Sequence, residues 1–164
     1  MNRYEQGMEI LTNKFGNNKD NIIALATVAR YPNADGKPRP VVRDVDAHYE
    51  DGVFYVVTYA KSSKMQQIAE NNEIAISVNN EWFNANAVGE NLGWVLDPKN
   101  AEIRTKLRTT FAAWYDFANN EKDENCCFLA IRLTQGIINL NHFETLYRMD
   151  FANKTATMEG KEPQ

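Results

Sequence analysis

The sequence predicts a mainly β domain, an antiparallel, barrel-like sheet with helices packed outside it. Three observations lead there. The chain has 164 residues, 43% hydrophobic and 11% aromatic, which is enough for one domain with a real core and too apolar for a disordered chain. Segments rich in β-branched residues recur along it, and most are joined by short turn signals, so they read as consecutive hairpins. Neither repeats nor a linker-like stretch interrupts them, which predicts a single domain over residues 1–164.

The elements follow in order. Tyr4, Met8, Leu11 and Phe15 recur at steps of four, three and four, an apolar stripe that predicts a helix over 2–15, stopped by Gly16-Asn17-Asn18 within an N-terminal helical segment 1–18. "NIIALATVAR" reads as a first strand, and "YPNADGKP" is the loop after it. "RPVVRDVDAHY" and "GVFYVVTY" are the second and third strands, with Glu50-Asp51-Gly52 as their hairpin turn. "SSKMQQIAENN" is a short helix capped by Ser62 or Ser63, and "EIAISVN" is a fourth strand. "EWFNANAVGENLGWVL" is long enough for a fifth, bent near Gly89. Asp97-Pro98 opens a second long helix with Ile103, Leu107, Phe111 and Trp114 or Tyr115 on its buried side. "CCFLAIRLTQGIINL" is a sixth strand broken at Gly136, "TLYRMDFA" a seventh, and residues 154–164 read as a loose polar tail.

Composition narrows the function. A formal net charge of −4 and pI of about 5.3 argue against general affinity for nucleic acid or an anionic membrane. No apolar run approaches the ~20 residues a membrane helix needs, and "MNRYEQGMEI" has no apolar signal core. Cys126 and Cys127 are neighbours and poorly placed to bridge each other, so a reduced, cytoplasmic setting is expected. With His48 and His142 as its only histidines, the chain is not expected to hold a structural zinc.

Two stretches look chemically unusual. On the second strand, alternation puts Arg39, Val41, Arg43, Val45, Ala47 and Tyr49 on the inward face, and Val42, Asp44, Asp46 and His48 on a polar, solvated one. An inward arginine needs an anionic partner, which a local carboxylate, a dimer partner or a ligand can each supply. In "TYAKSSK", Lys61 and Lys64 sit at a helix N-terminus, where the helix dipole disfavours positive charge. Free N–H groups with Thr58, Ser62 and Ser63 make the same spot an anion site by geometry, although a serine cap with two solvated lysines has the same sequence. The hairpin sets "RPVVR" beside the strand ending at Thr58, so arginines and "KSSK" can converge on one phosphate. Asp44, Asp46 and His48 share a face at steps of two, which any solvent face also shows, and no metal is assigned to them. Trp82 and Phe83 can wall a planar ligand, and Asn84 and Asn86 can meet its polar edge; core aromatics beside ordinary strand amides read the same way.

The order "DGKPRPVVRDVD", "DGVFYVVTYAKSSKMQQIAENNEIAI", "EWFNANAVGENLG" resembles the pyridoxamine 5′-phosphate oxidase-like family, the FMN-binding split barrels, over roughly residues 20–95. The resemblance implies a homodimer with FMN at the subunit interface. It implies that the phosphate is held by Arg43, with Arg39 as second candidate, and by Thr58, Ser63 and Lys64, with Lys61 and Ser62 adjacent. Val41 and Val42, between the two arginines, go with the cofactor strand, and Asn84 and Trp82 with the flavin. The true oxidases carry an Arg-x-His-like element near the C-terminus, which "NKTATMEGKEPQ" lacks, so their substrate is not expected here. The expected function is an FMN flavoprotein, an oxidoreductase on a small molecule, with NAD(P)H as one electron donor and no catalytic side chain assigned. A non-catalytic flavin-binding or sensing protein, or a barrel for haem or a deazaflavin, are the alternatives.

Overall fold

The structure is a computed structural model describing residues 1–164. The chain opens with α1 (Arg3–Phe15), started by a reciprocal cap in which Asn2 Oδ1 accepts from the Glu5 N–H at 2.9 Å and Glu5 Oε2 accepts from the Asn2 N–H at 2.8 Å. Eight strands follow: β1 (Asn21–Val28), β2 (Pro40–Glu50), β3 (Val53–Tyr59), β4 (Glu73–Val78), β5 (Phe83–Trp94), β6 (Cys126–Leu140), β7 (Thr145–Asp150) and β8 (Thr155–Gly160). They form one antiparallel sheet in the order β3-β2-β1-β4-β5-β6-β7-β8, and β3 also pairs with β6. That closure joins the first six strands into a barrel and leaves β7 and β8 as a hairpin running off β6.

Alternation fills the barrel. Ile23, Leu25, Phe54, Val56, Ile74, Ile76, Leu129 and Ile131 all point inward and are buried. Phe15 of α1 enters this core among Tyr49, Phe54 and Phe83, with ring centroids 6.1, 5.7 and 5.6 Å away. Burying a ring this fully contributes about 1.5–3 kcal/mol. α2 (Ser63–Glu70) packs Met65 and Ile68 onto the barrel. Between β5 and β6, the chain leaves the sheet for a 3-10 turn, α3 (Ala101–Thr110) and the short α4 (Tyr115–Ala118). Leu107, Phe111 and Tyr115 pack there with Val57, Val95, Cys126 and Phe128, a second small core on the outer barrel wall. No helix is long and apolar enough to cross a membrane.

Several sequence expectations need correction. Residues 155–160 form β8, fully paired with β7, where a loose tail is expected. Its alternation is masked because the sheet buries only part of Ala156 and Met158 on one face. Gly89 is no bend: a side chain there would lie 2.9 Å from Ile68 Cγ2, so the glycine admits α2 onto β5. β6 continues through Gly136, where a side chain would bring its Cβ within 3.2 Å of Ala85, Phe83 and Phe151. The irregularities lie instead at Thr134 of β6, the extra residue opposite Asn86 and Ala87, and at Leu92 of β5, between Asn91 and Gly93. The second long helix breaks after Thr110 and resumes at Tyr115. His48 is not solvated but 4% exposed, covered by α3, with Nδ1 2.7 Å from Thr110 Oγ1.

Candidate functional site

The β2–β3 hairpin is the place where the barrel fails to zip. β2 has 11 residues and β3 has 7, yet they share three pairs, His48↔Tyr55, Tyr49↔Phe54 and Glu50↔Val53. Beyond these, β2 keeps pairing with β1 and β3 with β6, so the two strands diverge. A cleft of about 380 Å³ opens beside the split, within the usual range of ~300–1,000 Å³ for small-ligand sites. Val45 and Asp46 line it from β2, Thr58 and Tyr59 from β3, Lys64 from α2, and Trp114 from the turn before α4.

Arg43 lies two residues up β2 from Val45, on the same inward face. Its Nη1 donates to Thr27 Oγ1 at 2.7 Å and to the Leu25 carbonyl at 3.2 Å, and Nη2 donates to Gln67 Oε1 at 2.9 Å. All three acceptors are neutral. Burial lowers the affinity of Arg43 for its proton. The Lys64 ammonium is likewise pushed below the usual lysine range, first by burial and then by Arg43 itself. Each of these half-buried cations normally takes a carboxylate. Here they have each other, while ten lysines and arginines elsewhere, such as Lys14 with Glu81 and Arg104 with Glu121, are paired with acids.

Ser62 adds a third sign. It occupies the cap position of α2 but makes no capping hydrogen bond, and its buried Oγ has no partner at all. An orphaned hydroxyl at a helix N-terminus, two residues before the uncompensated Lys64, is a donor that a phosphate at this end of α2 can engage. The residues therefore fit a phosphorylated ligand.

The structure sorts the remaining candidates. Thr58 lines the cleft beside Lys64. Ser63 is exposed at the first turn of α2, and Lys61 is exposed with its carbonyl accepting from Gln66 Nε2 at 2.9 Å. Arg39 is exposed ahead of β2 and donates to the Tyr31 carbonyl at 3.2 Å, four residues and ~13 Å of extended strand from Arg43. Val41 is half-buried, whereas Val42 is 68% exposed on the outer face. Trp82 is 57% exposed in the β4–β5 turn, set edge-on to Phe143 with centroids 5.3 Å apart. Asn84 points outward from β5 into a separate hollow with Asn86, Gln135 and Arg148. Within one chain, neither Trp82 nor Asn84 lines the cleft.

Sequence reasoning missed Thr27, Gln67, Trp114 and the pairing of Asp46 with Asp20. Thr27 and Gln67 hold Arg43, and the inward alternation Ile23, Leu25, Thr27 was the available signal for the first. Trp114 follows Phe111 at helical spacing and so passed for core. Asp46 was assigned to a solvent face, but burial and the neighbouring Asp20 push its carboxyl up to about 6. Trp114 Nε1 donates to Asp20 Oδ2 at 2.9 Å, tying the three together.

No family model and no curated protein matches the sequence. Solved structures match the fold. A Mesorhizobium loti protein described as FAD-binding superposes with a TM-score of 0.57 at 13% identity, over 77% of this chain and 90% of its own. A Clostridium acetobutylicum protein related to general stress protein 26, of the pyridoxinephosphate oxidase family, gives 0.59 at 13%, over 94% and 100%. A haem-binding protein from Mycobacterium smegmatis gives 0.64 at 12%, over 94% of this chain and 60% of that one. The closed six-stranded barrel, its flanking helices and these likenesses together establish the fold, and the chain is a split β-barrel of the kind found in pyridoxamine phosphate oxidase-family proteins.

Proposed function

We propose that this chain is an FMN-binding flavoprotein whose cofactor phosphate sits between Arg43 and Lys64. One observation carries the reading: two half-buried cations stand together with no carboxylate ion-paired to either, and the Ser62 hydroxyl two residues before Lys64 is orphaned. Arg43 supplies a planar fork, Lys64 a point charge, and Thr58 and Ser62 uncharged donors, which together suit a phosphate dianion. The split between β2 and β3 leaves room beside that anchor for a flat ring.

The protein is proposed to work as a homodimer. Val42, Ala26 and Ala75 stand in one cross-strand row on the outer face, and the 63% exposed Ile22 faces the same way four residues back along β1, a surface that a second copy would cover. A partner's Asn84 and Trp82, remote from the cleft within one chain, would then approach the ring. Bound flavin supplies hydride or single-electron chemistry, and this chain's own residues bind, orient and shelter it. Oxidoreduction of a small molecule in the cytoplasm follows as the working role, with a nicotinamide nucleotide as the proposed electron donor. Neither β7 nor β8 offers an arginine–histidine pair, so pyridoxamine phosphate is not the proposed substrate.

Purified protein should be yellow, or become so with added FMN, and should release FMN on denaturation. Protein that takes up no FMN, or that binds haem in preference, overturns the assignment. Bleaching by a nicotinamide nucleotide and recovery in air would mark an enzyme; a flavin indifferent to reductant would mark a carrier or sensor.

A further inference from the structure

We propose that Trp114 is the ring-contacting wall of the cleft, the residue against which the planar part of the phosphorylated ligand stacks. The inference rests on the reading of Arg43 and Lys64 as a flavin-phosphate anchor.

Trp114 lines the same cleft as Lys64 and Thr58, but it comes from the segment between α3 and α4 that crosses the outer barrel wall. Its indole is fixed on two sides. One face stacks on Phe111, itself fully buried, with centroids 4.7 Å apart and planes 28° from parallel. The ring N–H donates to Asp20 Oδ2 at 2.9 Å. A tryptophan held by both its face and its polar edge loses little freedom when a ligand arrives, so stacking energy is not spent on ordering it.

Its surroundings suit a heteroaromatic partner. Val56 and Val57 form apolar walls, while Asn119 and Asn120 offer amides and Asp46 a carboxyl to polar ring edges. Trp114 is half-buried, and the exposed Trp82 is already engaged with Phe143 at a hairpin tip outside this cleft. Lys64 of the phosphate anchor and the aromatic wall thus line one cleft, contributed by α2 on one side and the α3–α4 connection on the other.

The test uses the full chain with FMN and riboflavin as probes. In the wild type, FMN should quench part of the tryptophan emission. Trp114→Phe should abolish the larger share of that quenching while keeping FMN affinity within about threefold, because a flat ring remains. Trp114→Ala should weaken FMN and riboflavin alike by about tenfold, since stacking does not involve the phosphate. Trp114→Phe protein that binds FMN with unchanged quenching overturns the role of Trp114 and leaves the phosphate anchor standing. Wild-type protein that binds neither flavin overturns both. Lys64→Ala separates the two ideas: it should weaken FMN alone, whereas an equal loss of riboflavin would count against the anchor and not against the wall.

Discussion

Arg43 and Lys64 lie close enough for the guanidinium to depress the ammonium, and neither is ion-paired with a carboxylate. Like charges set together in a half-buried site cost stability until an anion arrives. Lys64→Ala or Arg43→Ala should therefore weaken FMN by about 1.5–3 kcal/mol, roughly 10- to 150-fold, and riboflavin hardly at all. Titration of both flavins checks this, and equal losses refute the phosphate assignment.

The same pair makes a second prediction in the absence of ligand. Lys64→Met removes one of two repelling charges and should stabilise the ligand-free protein by on the order of 0.5 kcal/mol, because solvent screens the rest. That corresponds to about 1–2 °C in Tm for a chain of this size. A lower Tm in the ligand-free variant would mean that Lys64 has a structural partner.

Arg39 offers a control. It is exposed and donates to the Tyr31 carbonyl, not into the cleft. Arg39→Ala should leave FMN affinity within about twofold. A loss as large as that of Arg43→Ala would move the phosphate site up the strand.

Asp46 should leave a mark on the pH profile of stability. Its carboxyl is raised from 3.8 to about 6 in the fold, by burial and by Asp20. The folded state therefore holds a proton that the unfolded state releases, and stability falls as pH rises from about 4 to about 6. Asp46→Asn should raise Tm at pH 7 by no more than a degree or two, given its partial exposure, and leave it unchanged below about pH 4. A constant difference across that window would show that the carboxyl titrates normally.

The cysteines should be silent. Cys126 and Cys127 are free and buried, and burial pushes both thiols up to about 11. A thiol-specific disulfide reagent at pH 8 should label neither until the protein unfolds. Fast labelling of the native chain would indicate a local opening of β6.

Much of the fold is legible in the sequence because the barrel strands alternate cleanly. Ile23, Leu25, Ile74 and Ile76 sit at inward positions that simple period-two reading finds. β8 escapes that reading because its two half-covered residues, Ala156 and Met158, give too weak a pattern. Glycine misleads in another way. Gly89 and Gly136 look like bends, but they mark close approach of a helix and of three packed side chains. At the site, "SSK" and the strand arginine are readable because charge is out of place there. Trp114 and Asp20 are unreadable because they meet across 94 residues of chain, a proximity that only the α3–α4 excursion creates.

The three-rung hairpin has a mechanical consequence. Between Pro40 and Asp46, β2 has a partner strand on one side only, so alternate main-chain amides and carbonyls on the other side face the split unladdered. A ligand lying there can be read by backbone alone, in positions that no side-chain substitution erases. It would also act as a brace between two jaws pinned at His48 and Tyr55. Amide exchange along Val42–Asp46 should then slow on ligand binding more than at the already laddered β5 or β6, which makes the seam itself a reporter of occupancy.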